Sequence, residues 1–239
     1  MKPNVKKYSV LALMIAGMVI SGQFLYATIV GSPHDLSSTG PKLQLATAIG
    51  VCDPCHTPHN APSAQAPLWD HQIVNTAAYT LYPSGGTLNS TPGAVDGVSQ
   101  LCMSCHDGTL GVENFGGVTA SILYRIGTDA PFAGSPANLG TDLSNDHPIS
   151  ITYDTALATA DGALFNPATL TGVPGPPPGK TVTIGTATGT INQMLLFAGK
   201  VQCASCHNVH EFGATADMQP FMRITRSGAG QLCLNCHNK

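Results

Sequence analysis

The chain has 239 residues, with 10 Lys and Arg against 13 Asp and Glu and a formal charge of -3. Charged residues make up only 10% of it, against roughly 25% in a typical soluble domain. A chain this acidic and sparsely charged has no basic surface on which to hold phosphates, which excludes nucleic acid as a partner.

Residues 1–27 read as a secretory signal peptide. Lys2, Lys6 and Lys7 form its positive start, Val10 to Ile20 its apolar centre, and Phe24-Leu25-Tyr26-Ala27 its cleavage site. The alternative is an uncleaved anchor, because the apolar run approaches the roughly 20 residues that a membrane helix needs. Cleavage leaves 212 residues, with seven basic groups against all 13 acidic ones and a formal charge near -6. No stable membrane span is then expected, and the mature chain is expected to be secreted, extracellular or at the cell surface, with the periplasm as the alternative. With 26 Gly and 18 Pro, loops should dominate it.

All eight cysteines fall into four copies of Cys-x-x-Cys-His: Cys52, Cys55, His56; Cys102, Cys105, His106; Cys203, Cys206, His207; and Cys233, Cys236, His237. This is the attachment signature of a c-type haem. Two thiols at this spacing match the two haem vinyl groups, and the adjacent histidine lies under the iron as proximal ligand. Zinc is the competing use of Cys-x-x-Cys pairs. Ribbon pairs sit about 15 to 20 residues apart, whereas 46, 97 and 26 residues separate these, and zinc gives no reason for a histidine after every pair. Four covalently attached haem c groups are therefore expected as cofactors.

The copies form two units. In each, the first copy has a second histidine three residues on (His59, His210), and the second copy follows Gln-Leu (Gln100-Leu101, Gln231-Leu232). This reads as an internal duplication, with a two-haem unit over 28–107, a loop and β insert over 108–201 and a second two-haem unit over 202–239. The insert carries His147 and a short strand at Ile149 to Tyr153. After an exposed Pro174–Gly179 turn comes a second strand or small hairpin from Thr181 to Ile191. Helices are expected as single turns at the motifs, with Gly108 stopping the second.

Beyond the four proximal histidines remain His34, His59, His71, His147 and His210. Four irons need four sixth ligands, so coordination by two histidines throughout leaves one over, and His71 is the weakest candidate. Methionine ligands would come from Met103, Met194, Met218 or Met222 and would raise the potential. His34 and His147, each upstream of a first-copy motif, are the natural distal ligands for the haems at Cys52 and Cys203. His59 cannot come round to the far face of the haem under His56 and must serve another; His210 stands likewise to His207. By the duplication, His210 reaches back to a haem of the first unit. The same step for His59 leads to a unit outside this chain, which a neighbouring molecule could supply.

Several strings carry a resemblance: Ile29-Val30-Gly31-Ser32-Pro33-His34-Asp35-Leu36, the Cys-His-Thr-Pro-His-Asn ending at Asn60, Pro67-Leu68-Trp69, and Asn145-Asp146-His147-Pro148. With the doubled motifs, they resemble multihaem c-type cytochromes of metal-reducing bacteria, and the four-haem count is similar to the OmcE-type extracellular filament cytochromes. The resemblance implies a multihaem cytochrome c fold, loop-rich with short helices at the attachment motifs and a few short β-strands. It implies a homopolymer in which His59 bridges subunits, with redox cytochromes and extracellular electron acceptors as partners. Electron transfer without catalysis is the leading expectation, by a filament subunit or by a discrete periplasmic or surface carrier. A multihaem reductase would want a five-coordinate haem, often signalled by Lys in place of the motif histidine, and no such replacement occurs.

Overall fold

The computed structural model describes residues 29–45, 50–61, 68–74, 79–85, 88–211, 221–224 and 230–239. The signal-peptide reading of residues 1–27 and Met218 lie outside them. Among the described residues no helix is long and apolar enough to cross a membrane.

Regular structure is scarce because Gly and Pro recur along the chain. The longest element is α1, Gly97–His106, which carries the second motif on its last turns. A single turn was expected here. The helix is longer because Val98 to Ser104 has neither Gly nor Pro, and it buries Ser99, Leu101, Met103 and Ser104. It ends where Gly108 turns to φ +70°, a left-handed position that suits glycine. The other motifs are single turns closed on the first cysteine: the histidine N–H donates to Cys52 O at 2.8 Å, Cys203 O at 3.0 Å and Cys233 O at 2.9 Å.

The insert supplies most of the remaining elements. Strand β1, Ile151–Thr152, pairs antiparallel with β4, Lys200–Val201. Strands β2, Thr181–Ile184, and β3, Ala187–Thr190, form a hairpin over Gly185-Thr186, with Gly185 at φ +60°. Helix α2, Thr155–Asp161, is capped by Asp154, whose carboxylate accepts from Leu157 N, and stops at Gly162 in the left-handed region. Helix α3, Ile191–Met194, opens on a capping box between Thr190 and Gln193. Helix α4, Cys203–Cys206, is the third motif.

Three small hydrophobic clusters take the place of one large core, and each touches a motif. Leu43, Leu45, Val112, Phe115 and Ile126 pack against Cys105; Val74, Tyr79, Val95 and Leu143 enclose Met103; and Tyr153, Val182, Ile191, Leu195 and Leu196 pack against Cys236. The insert therefore walls both units. Tyr153 Oη donates to Phe165 O at 2.6 Å and to Cys236 O at 3.2 Å, tying β1 to the fourth motif.

Gln202, buried at the start of the third motif, joins the two units. Its Oε1 accepts from Ser99 N at 3.1 Å and from Ser150 Oγ at 3.3 Å, and its Nε2 donates to Asp96 Oδ1 at 3.0 Å. Gly97, at φ +53°, lets the helix start come this close: a Cβ there would meet Gln202 Nε2 at 3.2 Å.

Candidate functional site

Neighbouring cysteine pairs come within reach of one another. Cys105 disfavours the Cys55 thiolate, the Cys102 thiol hydrogen-bonds Cys203, and Cys206 disfavours the Cys236 thiolate. Burial first, then these like charges, pushes the Cys55 and Cys236 thiols up to about 12. Cys203 runs the other way, down to about 7, because the hydrogen bond from Cys102 outweighs burial. No two of the eight cysteines form a disulfide.

The histidines come together in pairs across the sequence. His34 and His106 have ring centres 5.8 Å apart, His56 and His210 6.2 Å, and His147 and His237 6.4 Å. At the ~2 Å metal–nitrogen distance usual for imidazole, two rings on opposite sides of one metal have centres about 6 Å apart. Each pair joins one motif histidine to one from elsewhere. Chain order alone would set His34 and His147 against the motifs at Cys52 and Cys203; in the structure their rings neighbour those of His106 and His237. The chain folds each upstream segment past the nearer motif: His34 packs edge-on to Phe221 at 4.5 Å, beside the third motif.

Ring nitrogens are arranged for ligation. His106 Nδ1–H donates to Ala137 O at 2.8 Å and His147 Nδ1–H to Pro148 O at 3.0 Å, which leaves Nε2 of each ring as the bare lone pair. The Nδ1 of His34 is buried without a hydrogen-bond partner. Burial, then the nearby His106 and His207, lowers the pKa of His34 to about 4, so the ring stays neutral. His71 differs: Nδ1 lies 2.9 Å from Gln72 O, Nε2 3.1 Å from Gly111 O, and Cys105 Sγ 3.4 Å from Nε2. Burial lowers the His71 pKa, so the neutral ring donates to one of these two carbonyls. His207 and His59 are both exposed.

The candidate methionines have other places. Met103 is fully buried in its cluster, Met194 packs against the cluster around Ile191, and Met222 bridges to the His207 backbone.

Among the described residues no group of three or more His, Cys, Asp or Glu could hold a metal ion. The histidine pairs fit a group that asks the protein for two nitrogens. A haem iron draws four nitrogens from its macrocycle and asks the protein for two more, as the histidine pairs offer. A shallow apolar cavity of about 60 Å³, with Leu81, Tyr82 and Ile149 in its walls, opens beside His147 and Cys203.

No family model matches the chain, and no curated protein matches it.

The backbone around the first and third motifs shows a correspondence that the cysteine spacing does not reveal. Thr57 N donates to Leu68 O at 3.0 Å and Asp70 N to Cys55 O at 2.9 Å; Asn208 N donates to Phe221 O at 2.7 Å and Arg223 N to Cys206 O at 2.9 Å. Trp69 bridges to His56 as Met222 does to His207. Leu68 and Phe221 both sit at positive φ, +54° and +58°. A readable trace of this existed in Pro67-Leu68-Trp69-Asp70 and Pro220-Phe221-Met222-Arg223, each a proline, two apolar residues and a charge.

Proposed function

We propose that the protein is a four-haem c-type cytochrome that carries electrons, built as the subunit of an extracellular filament that delivers respiratory electrons to external acceptors. The observation that carries this reading is the three imidazole pairs at 5.8, 6.2 and 6.4 Å, each pairing a Cys-x-x-Cys-His histidine with another. Bound through these residues, haem c supplies reversible one-electron chemistry.

The residues divide the work. Cys52 and Cys55, Cys102 and Cys105, Cys203 and Cys206, and Cys233 and Cys236 anchor the four groups as thioethers. His56, His106, His207 and His237 are the proximal ligands. His210, His34 and His147 are the distal ligands for the first, second and fourth sites. Where two histidines hold each iron, no open site would remain for a substrate, which favours electron transfer over catalysis.

The third site is completed from another molecule. His210 of the second unit faces His56 of the unit before it. Repeating that step one unit further brings His59 of the next molecule to His207, and both residues are on the surface. A chain of molecules linked in this way is a filament; the alternative is a discrete carrier in the periplasm or at the cell surface.

Haem staining with mass measurement of the purified protein, followed by EPR of the oxidised form, tests the electron-transfer reading. Four attached haems, all low-spin, are expected. A high-spin signal equal to one haem in four that persists in assembled protein would instead indicate a reductase. Negative-stain microscopy of the secreted fraction separates filaments from discrete particles.

A further inference from the structure

The first and third motifs share their main-chain bonding but differ in charge at one matched position. Asp70 and Arg223 each donate their backbone N–H to the second cysteine's carbonyl, at 2.9 Å in both cases. Asp70 is buried, and its Oδ2 accepts from Gly116 N at 3.1 Å. Arg223 is partly buried, with Nε donating to Ala204 O at 2.6 Å and His207 O at 3.3 Å and its guanidinium 5.5 Å from the centre of the Phe197 ring. A second difference has the same sense: Asp53 inside the first motif corresponds to Ala204 inside the third.

We propose that Asp70 and Arg223 set the first and third haem sites at different potentials, low at the first and high at the third, so that electron flow between the two has a direction. The proposal rests on the four-haem reading above. A ferric haem carries one more positive charge than a ferrous one. A carboxylate beside it therefore favours the oxidised form, and a guanidinium favours the reduced form. In a partly dry site such a charge acts at several times its strength in water. Electrons then run downhill from the first site towards the third.

Geometry places each charged residue at its own motif. Asp70 is bonded through its backbone to Cys55 O, and Arg223 is bonded through its backbone to Cys206 O and through Nε to the Ala204 and His207 carbonyls.

The test is a potentiometric titration of the four-haem protein at an electrode, each iron taking one electron from ferric to ferrous, with the haems followed by their separate low-spin EPR signals. Asp70→Asn should raise the midpoint of one haem, and Arg223→Gln should lower that of a different one. In each case the reduced-to-oxidised ratio of that haem at a given potential should change about tenfold, or about 59 mV. Arg223→Lys keeps the charge and should leave all midpoints in place. Four haems attached with midpoints unmoved by Asp70→Asn, or with both charge-removing variants shifting in the same direction, overturn the proposal. Should Arg223→Gln not accumulate, Asp70→Asn decides alone. A purified chain without haem would overturn the underlying reading instead, and the haem count taken first tells the two failures apart.

Discussion

The rings of His56 and His210 lie 6.2 Å apart and 15° from parallel, although the whole insert separates them in the chain. His210 follows the third motif, and yet it faces the first. If the pair holds one iron, His210→Ala opens that site. One haem in four should become high-spin in the EPR spectrum, and the other three should remain unchanged. His71→Ala should leave the spin state untouched, because both His71 nitrogens face carbonyls.

Gln202 is the joint between the units, and its removal should cost stability without altering the haem count. Gln202→Ala strips the acceptor from Ser99 N and Ser150 Oγ and the donor from Asp96. Leaving buried polar groups unpaired costs about 1–3 kcal/mol each, so a loss of about 2–3 kcal/mol in a urea titration is expected. Gln202→Glu should be no better, since it sets a second carboxylate against Asp96.

The candidate site was legible in the sequence because covalent haem attachment, as proposed, would impose rigid spacing: two thiols and an imidazole within five residues leave a mark that no folding context can erase. The hairpin from Thr181 and the strand at Ile151 were equally legible from alternation and turn residues. What the sequence hid was tertiary. His34 and His106 meet because segments distant in the chain cross, and nothing in the local pattern of either records that. The matched Asp70 and Arg223 escape a motif search because the shared property is a main-chain bond and a positive φ two residues earlier, expressed by different side chains. Helix α2 was missed for a different reason: its Asp154 cap and Gly162 stop were present, but the surrounding Gly and Pro suggested loop throughout.

Acid should weaken the contact between α1 and β4. Burial alone would raise the Asp96 carboxyl, but hydrogen bonds from Lys200 and Gln202 and the Lys200 charge outweigh it and hold the carboxyl below the usual carboxylate range. A group depressed on folding contributes stability that is fully present above its unfolded pKa and is lost as pH falls through its folded value. The loss therefore falls below the ordinary carboxylate value of about 3.9. With the Lys200 and Asp96 side chains 32% and 46% exposed, the contribution should stay under ~1 kcal/mol. Urea midpoints of wild type and Asp96→Asn should differ at neutral pH and converge as the pH falls through that range.

Tyr79 should matter to the second motif through Asp107, the residue directly after His106. Its hydroxyl donates to Asp107 Oδ2 at 2.6 Å inside the protein, and Oδ1 accepts from Thr109 N and Thr109 Oγ1, both at 2.8 Å. Burial, then this bond, pushes the Tyr79 hydroxyl well above the usual tyrosine range, so it remains a donor at any working pH. Tyr79→Phe keeps the ring in its cluster and removes only the donor, and a carboxylate left short of one partner should cost about 1.5–3 kcal/mol. A drop of that size in thermal or urea stability, with four haems still attached, is the expected result.

The bridging role of His59 can be separated from every intramolecular one. It is exposed, and its own backbone C=O accepts from Thr57 Oγ1 at 2.9 Å, so replacing its ring leaves that turn in place. His59→Ala should therefore fold with four haems, at wild-type stability to within about 0.5 kcal/mol, as expected for a surface change. It should nevertheless yield discrete particles where the wild type yields filaments. The EPR spectrum of those particles should show one haem in four without its sixth ligand, and added imidazole should restore the low-spin signal without restoring filaments. Filaments of His59→Ala with every haem low-spin would refute the bridge and assign the third site a ligand from its own chain.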